Sequence, residues 1–394
     1  MYKRQIPSGS GWIIRLKNIL VVFQFTVSCI LIIGTITIYR QVNFMRHHDL
    51  GFKMEGLIVL EGPRIRNADS YASYLSGMES FKEDLRSVAM VSQLTSSSSV
   101  PGTEIKASVV LGIPVEGRNT EKKIEMYYVD NHFFDTYGMS LIAGDNFAPT
   151  MREDSVNIII NEAALPYFGF EDADSTIGEI LRGGRWVVHI KGIVRDFNQQ
   201  IMKEEPGPIG FYNQPVNQYY TVKAEMTDIS SLLSELERIW VSHYPGNPFH
   251  YFFLDDFYNE QYRAETRFSG LFLSSSLLAI ILACLGLFGL SAYSIIRRTK
   301  EIGIRKANGA GARSVMILLN RGFVIRVALA LVIASPIAWF VMNKWLQNYA
   351  TKVELSWWIF ALAGIIALII ALLTVSWQSW RAANLNPAEA LRDE

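Results

Sequence analysis

The chain has 394 residues, no formal net charge, 50% hydrophobic residues and only 19% charged ones. Soluble domains carry about 25% charge, so this balance points to a membrane protein. The two cysteines, Cys29 and Cys284, both fall in apolar runs, which leaves no disulfide framework for an exported part and reads as two small buried hydrophobes.

A spanning helix needs about 20 mostly apolar residues. Four runs reach that length: residues 18–39, 268–296, 322–343 and 355–380. The first is too long for the apolar core of a signal peptide and has no Ala-x-Ala site behind it, so it reads as an uncleaved anchor, helix 1 over 18–40. Residues 41–265 then have ordinary globular composition and are expected to form one large mixed α/β domain. Val109-Val110-Leu111, Val156-Asn157-Ile158-Ile159-Ile160 and Trp186-Val187-Val188-His189-Ile190 predict strands. Residues 70–87 and 229–242 predict amphipathic helices, with Asn161 as a candidate cap of a further helix. Gly183-Gly184 suits a hairpin turn. The outcome is an α+β domain of about 220 residues, with room for two lobes.

Helices 2, 3 and 4 follow over 268–296, 322–343 and 356–380, separated by loops 297–321 and 344–355 and closed by a tail, 381–394. Loop 297–321 carries seven Lys/Arg against one acid, Glu301. The first segment is preceded by Lys3, Arg4, Arg15 and Lys17, whereas the 344–355 loop has only Lys344 and Lys352. The positive-inside rule therefore places residues 1–17, loop 297–321 and the tail in the cytoplasm, and the 41–265 domain outside. The aromatic belts agree, with Trp345, Trp357 and Trp358 at the outer ends and Trp12, Trp377 and Trp380 at the inner ends. Arg326 lies about one turn inside the inner edge of helix 3, where its side chain can snorkel. Ala279, Ala283, Gly286 and Gly289 on helix 2, and Ala361, Gly364, Ala367 and Ala371 on helix 4, suit close helix packing.

Catalytic patterns are missing from the sequence. The acids Asp255-Asp256 and Asp172 with Asp174 have no general-acid partner nearby. The six histidines (His47, His48, His132, His189, His243, His250) show no metal-ligand spacing. No Gly-x-Ser-x-Gly elbow occurs, and Ser96 to Ser99 reads as a loop. Arg195-Asp196-Phe197-Asn198 reads as a turn with an Asx cap. Gly309-Ala310-Gly311 lacks the lysine of a nucleotide-binding loop. No basic and aromatic interleaving suggests nucleic acid as a partner. A protein without enzymatic activity or cofactor is expected.

The basic loop carries the most specific pattern: Arg298-Thr299-Lys300-Glu301-Ile302-Gly303-Ile304-Arg305-Lys306, then Gly309-Ala310. It resembles the signature of the MacB/FtsX-type ABC transporter permeases, and the order of one helix, a large outer domain and three helices is similar. Phe133-Phe134-Asp135-Thr136-Tyr137-Gly138-Met139 with Ala143-Gly144-Asp145-Asn146-Phe147 resembles that family's periplasmic core domain. So do Asn161-Glu162-Ala163-Ala164 and Gly192-Ile193-Val194-Arg195-Asp196-Phe197, and the tail Asn386-Pro387-Ala388-Glu389-Ala390-Leu391-Arg392 resembles the family's C-terminal end. Asn308 departs from it, since an apolar residue is usual before the glycine.

The resemblance implies a bacterial inner-membrane protein with both termini cytoplasmic. It implies that Arg298, Lys300, Glu301, Ile302, Gly303, Ile304, Arg305, Lys306, Gly309 and Ala310 form a coupling helix docking on a separate cytoplasmic ABC ATPase. Motion would pass to the outer domain and drive export or release of a substrate, a process called mechanotransmission. The alternative is a signalling subunit that controls a periplasmic partner such as a cell-wall hydrolase. Other implied partners are the lipid bilayer, a second permease unit (a homodimer or a fused or separate half) and a periplasmic adaptor or membrane-fusion protein. Val22-Phe23-Gln24-Phe25-Thr26 resembles the start of the second unit of two-unit relatives, so the chain is expected either as a truncated product or as a half that pairs with another chain. Residue chemistry suits docking: Glu301 and Arg305 stand in the favourable order for an intrahelical pair, and Asn308-Gly309 suits a helix stop.

Overall fold

The computed structural model describes residues 10–47, 49–64, 70–114, 121–149, 156–184, 186–199, 206–307 and 311–383. Residues 47–263 form one compact unit, and the chain on either side of them forms the other. The protein is an α+β membrane protein with four apolar helices and a mixed α/β unit inserted between the first and second.

The flanking unit consists of α1 (Ser10–His47), α8 (Arg263–Ala307), α9 (Ala312–Leu346) and α10 (Trp357–Ala383). Each contains one apolar stretch long enough to cross a bilayer: Asn18–Arg46, Glu265–Tyr293, Met316–Leu346 and Trp357–Trp380. The helices run past the apolar runs because hydropathy marks where lipid contact ends, not where the backbone stops being helical. Inside the bundle, Ala330, Ala334 and Ala338 of α9 meet Ala363, Ala367 and Ala371 of α10, all buried. Spacing of four puts each trio on one helix face, and alanine there lets the backbones approach without a hydrophobic driving force. Val21, Phe25 and Cys29 of α1 and Ala283 and Leu287 of α8 complete this core.

The predicted small-residue stripes divide. Gly286 takes Gln24 against it, and Gly364 takes Leu331, each so close that a Cβ would collide with the side-chain tip. Gly289 has open space around it and takes no part in packing. At one end of the bundle the Gln41 side chain donates to Thr351 O (2.9 Å) and accepts from Val353 N (2.9 Å), tying the α9–α10 connection to α1. Trp345 stacks on Phe268, and Arg40 lies over the Trp358 ring, at that same end.

The inserted unit holds an eleven-stranded sheet. Its strands are β1 (Leu57–Glu61), β2 (Val91–Ser97), β3 (Ser108–Leu111), β4 (Lys122–Val129), β5 (Leu141–Gly144) and β6 (Asn157–Asn161). They continue with β7 (Ile180–Gly183), β8 (Trp186–Val194), β9 (Ile209–Asn213), β10 (Tyr219–Ala224) and β11 (Tyr251–Phe253). The spatial order is β11-β1-β10-β2-β4-β9-β6-β8-β5, with β3 on β4 and β7 on β8. Pairings β4–β9 and β6–β8 are parallel and the rest antiparallel. Helices α2 (Tyr71–Ser87), α3 (Phe133–Tyr137), α4 (Ala164–Phe168), α5 (Ala173–Thr176), α6 (Ile229–His243) and α7 (Leu254–Gln261) fill in around it.

Two cores form, because the sheet narrows to a single register pair, Ser97↔Val129, between β2 and β4. On one side α2 and α6 bury Phe81, Leu85, Leu236 and Trp240 against Ile58, Leu94 and Tyr220. Both helices start on side-chain caps, Ser70 accepting from Ser73 N and Asp228 from Ser231 N. On the other side β3, β4, β6 and β8 pack Ile124, Ile158, Ile160 and Ile190 with Ala164 and Phe168 of α4. At the waist Phe133, Phe134 and Tyr137 of α3 cluster with Tyr127 and Phe211, all fully buried. The Phe-Phe-Asp-Thr-Tyr-Gly block is thus a packing plug, stopped by Gly138 at φ 63°, the left-handed cap that glycine accepts without strain.

The predicted strands and helices coincide with β3, β6, β8, α2 and α6, except that Val156 precedes β6 and Ser70 caps α2, and the Gly183-Gly184 turn joins β7 to β8. One expectation is corrected. Ser96 and Ser97 belong to strand β2, not to a loop. Serines tolerate that buried strand end because the Ser96 hydroxyl and amide donate to Asp130 and the Ser97 hydroxyl donates to Ser99 O.

Candidate functional site at the end of helix α8

The basic segment is the last part of α8, not a short helix of its own. From Arg263 to Ala307 the helix is unbroken over 45 residues, about 68 Å at 1.5 Å per residue. Its apolar span ends at Tyr293, so the fourteen residues 294–307 extend about 21 Å further. No residue from Ser294 to Ile302 is a helix breaker. Gly303 alone costs about 1 kcal/mol relative to Ala and is carried by its neighbours. Ile304 and Arg305 are exposed, Ile304 by 49%. Ile304 is thus an aliphatic side chain half open to solvent past the end of an apolar span.

Residues Arg298, Lys300, Glu301, Ile302, Gly303 and Lys306 lie on the helical backbone, with side chains outside the described residues. Asn308, Gly309 and Ala310 lie outside them altogether, as do the tail block 386–392 and His48. Gly311 caps α9 in an extended conformation (φ −70°, ψ 157°), and Ser314 N donates to its carbonyl. Four residues, 308–311, separate the end of α8 from the start of α9.

Polar ties hold α8, α9 and α10 together near this end of the helices. Ser291 of α8 hydrogen-bonds Gln378 of α10. Asn320 of α9 donates to Ser376 Oγ (3.2 Å) and accepts from Ser379 Oγ (3.1 Å), both on α10. Such bonds between membrane helices contribute about 0.6–2 kcal/mol each. Beside them a cavity of about 200 Å³ is lined by Ser291, Phe323, Arg321, Arg326 and Ser379. Arg326 lies inside the apolar span of α9 and sets its guanidinium over the Phe323 ring, 4.9 Å from the centroid.

Asp172, Asp196 and His243 of the inserted unit do structural work. Asp172 caps α5, and the Ser175 amide holds its carboxyl below the usual range. Asp255 and Asp256 occupy the first turn of α7. His243 pairs with Asp84 at 2.6 Å. Asn161 does not cap its own helix: it bonds Asp196 Oδ1, Gly207 O and Ile209 N, each at 2.8 Å. Asp196 accepts from Ala163 N as well (2.8 Å), so it serves a neighbouring element rather than its own turn. Burial pushes its carboxyl up, against the opposing Ala163 hydrogen bond. Two separate sequence blocks thus meet across the β6–β8 pairing, at Asn161↔Val194.

Sequence reasoning passed over a buried ion pair. Lys82 Nζ lies 3.0 Å from Asp130 Oδ2, with side chains 5% and 11% exposed. Asp130 also accepts from Thr95 Oγ1, from Ser96 N and Oγ, and from His132 N. The available signal was a lysine on the apolar face of α2, between Phe81 and Leu85.

A multi-pass helical membrane protein with an inserted α/β unit is the class this architecture defines. Residues 273–387 match the FtsX-like permease C-terminal family. The macrolide export ATP-binding/permease protein MacB of Bdellovibrio bacteriovorus is 26% identical over 178 residues, 42% of this chain and 25% of that protein. MacB of Salmonella typhimurium is 23% identical over 291 residues, 68% of this chain and 43% of that protein. The chain therefore spans less than half the length of these relatives. The periplasmic region of MacB from Actinobacillus actinomycetemcomitans superimposes with a TM-score of 0.37 at 13% identity, over 54% of this chain and 95% of that one. For the extracellular domain of the ABC-type transporter YknZ from Gram-positive bacteria the TM-score is 0.35, at 15% identity, over 50% of this chain and 97% of that one. Residues 273–387 are thus similar to the C-terminal part of FtsX-like permeases, and the chain is similar to MacB.

Proposed function

We propose that this chain is the membrane subunit of an ABC transporter and carries motion from a separate cytoplasmic ATPase to the inserted unit, driving export or release of a substrate. The observation that carries this reading is the unbroken α8. One rigid rod joins the basic segment to the apolar span, so displacement at Ile304 moves the whole helix. The inserted unit then lies outside the inner membrane and both termini inside, as the basic residues around α1, at the end of α8 and at the start of α9 favour. Docking rests on residues 298–310. Ile304 supplies apolar contact, and Arg298, Lys300, Arg305 and Lys306 supply charge for an acidic partner surface. Partners on this reading are the ATPase, a second permease unit and an adaptor on the outer side.

Co-purification tests the docking step. An ABC ATPase expressed from the same gene cluster is expected to be recovered with the wild-type chain in detergent and lost with Ile304→Asp. A buried interfacial charge without a partner typically costs several kcal/mol, enough for a loss of about a hundredfold or more. Equal recovery with the variant contradicts docking at this segment. ATPase activity in the recovered complex that does not respond to any exported substrate would favour the signalling alternative.

A further inference from the structure

The cavity beside the polar ties takes its walls from three helices: Ser291 and Ile295 of α8, Arg321, Gly322 and Arg326 of α9, and Ser379 of α10. The apolar spans of all three end close to it. That of α8 stops at Tyr293 and that of α10 at Trp380, while that of α9 begins at Met316. The cavity therefore lies where lipid headgroups meet hydrocarbon, the depth at which Trp377 and Trp380 are exposed.

Arg326 reaches toward that depth by folding back along its own helix. A Cβ on Gly322, one turn nearer the helix start, would meet Arg326 Nη2 at 3.8 Å, and the guanidinium covers the Phe323 ring. A longer side chain at 322 would fill this path. Arg321 stands more than one turn nearer the same end than Arg326 and is exposed. The Phe323 ring is neutral, so both positive charges act on the cavity. Among the described residues no acid lines it. The acids among the described side chains of the flanking unit are Glu265 and Glu354, both toward the opposite end of the bundle. Glu301 lies about 15 Å of helix beyond Ser291. An apolar track leads away from the cavity along α9. Ile325, in its lining, is 58% exposed, and Leu329 and Val332 follow at helical spacing, 50% and 70% exposed. They form one lipid-facing stripe that runs toward the bilayer centre.

We propose that this cavity holds the phosphate of an anionic phospholipid, with Arg321 and Arg326 on its oxygens and an acyl chain along Ile325, Leu329 and Val332. The guanidinium fork suits phosphate oxygens, and a partly buried charge pair at this depth is screened little by salt. Basic pockets between membrane helices take lipid headgroups for these reasons. A zwitterionic lipid brings an amine as well, and the described lining offers it no carboxylate. Free phosphate matches the arginines but leaves the apolar stripe unused. Because α8, α9 and α10 all contribute walls, a bound lipid clasps them together at the end from which residues 294–307 extend. The site is independent of the ATPase-docking reading. Only the leaflet that supplies the lipid, the cytoplasmic one, follows from the orientation proposed above.

The test is native mass spectrometry of the full chain in detergent, titrated with phosphatidylglycerol or with phosphatidylethanolamine of the same acyl chains. The wild type should bind the first phosphatidylglycerol about fivefold or more tightly than phosphatidylethanolamine. Excess inorganic phosphate should not displace it. Arg326→Gln should abolish this preference. Arg321→Gln, at an exposed position, should weaken phosphatidylglycerol binding by about fivefold and decides the matter if Arg326→Gln does not fold. Lys344→Gln removes an exposed charge near the other end of α9 and should leave the preference unchanged. Equal binding of the two lipids overturns the proposal, as does displacement by inorganic phosphate. So does a preference that survives both arginine variants, or one that falls as far with Lys344→Gln as with Arg321→Gln.

Discussion

At the scale of single residues, the strongest constraint in the inserted unit is the Lys82–Asp130 pair. Asp130 collects bonds from Thr95, Ser96 and His132 besides the lysine, so it fixes β2 against the β4–α3 corner. Replacing the lysine strands a buried carboxylate. Lys82→Met is therefore expected to destabilise the inserted unit by about 3–5 kcal/mol, read from its denaturation midpoint. A loss under about 1 kcal/mol would show that water reaches the site. Asp196 behaves in the opposite sense. Burial raises its folded pKa above the ordinary 3.8. The folded state then holds the proton more tightly than the unfolded one, so its contribution is full below 3.8 and is lost as pH rises through the raised value. Asp196→Asn keeps Oδ1 as acceptor for Asn161 and Ala163 and removes the charge. Its stability relative to wild type should improve as pH climbs above 3.8 and level off above the raised pKa, and a pH-independent difference would contradict the assignment.

These residues were illegible in the sequence for a physical reason. The Asp130 carboxylate is satisfied by groups 34 and 35 residues away in β2 and by α2. No local spacing announces such a contact. Asn161 and Asp196 were each legible as capping types, but not as partners of one another, because the parallel β6–β8 pairing that joins them is non-local.

At the scale of elements, hydropathy located all four membrane helices, because lipid demands one long apolar run per crossing. For the second, it marked the membrane span and not the end of the helix. The change from apolar to basic after Ile296 marks a change of solvent, and the helix continues eleven residues further, to Ala307. Only three of eleven strands were read from the sequence. Most of the others are short or buried on both faces, so they show little alternation, although β4 alternates over residues 123–126. The alanine trio of α9 was also passed over, although its i, i+4, i+8 spacing was present in the sequence. Ala334→Leu forces a larger side chain into the α9–α10 seam and should lower bundle stability in mixed detergent by about 1–3 kcal/mol. Gly289→Ala, in open space, should be neutral or slightly stabilising. Equal effects of the two would show that the seam is not tightly packed.

For the whole molecule, the account stands on α8 acting as one stiff member between an ATPase and the inserted unit. Position 296 lies just past the apolar span and is 74% exposed. Proline there removes one helical hydrogen bond and clashes with the preceding turn, breaking the rod without deleting a packed side chain. The measurement is hydrogen exchange of the inserted unit in chain–ATPase complexes reconstituted in nanodiscs, with and without ATP. The wild type should show an ATP-dependent change in that unit, while Ile296→Pro should keep the ATPase bound and hydrolysing yet show none. An ATP response of the inserted unit that survives Ile296→Pro unaltered would contradict transmission through α8.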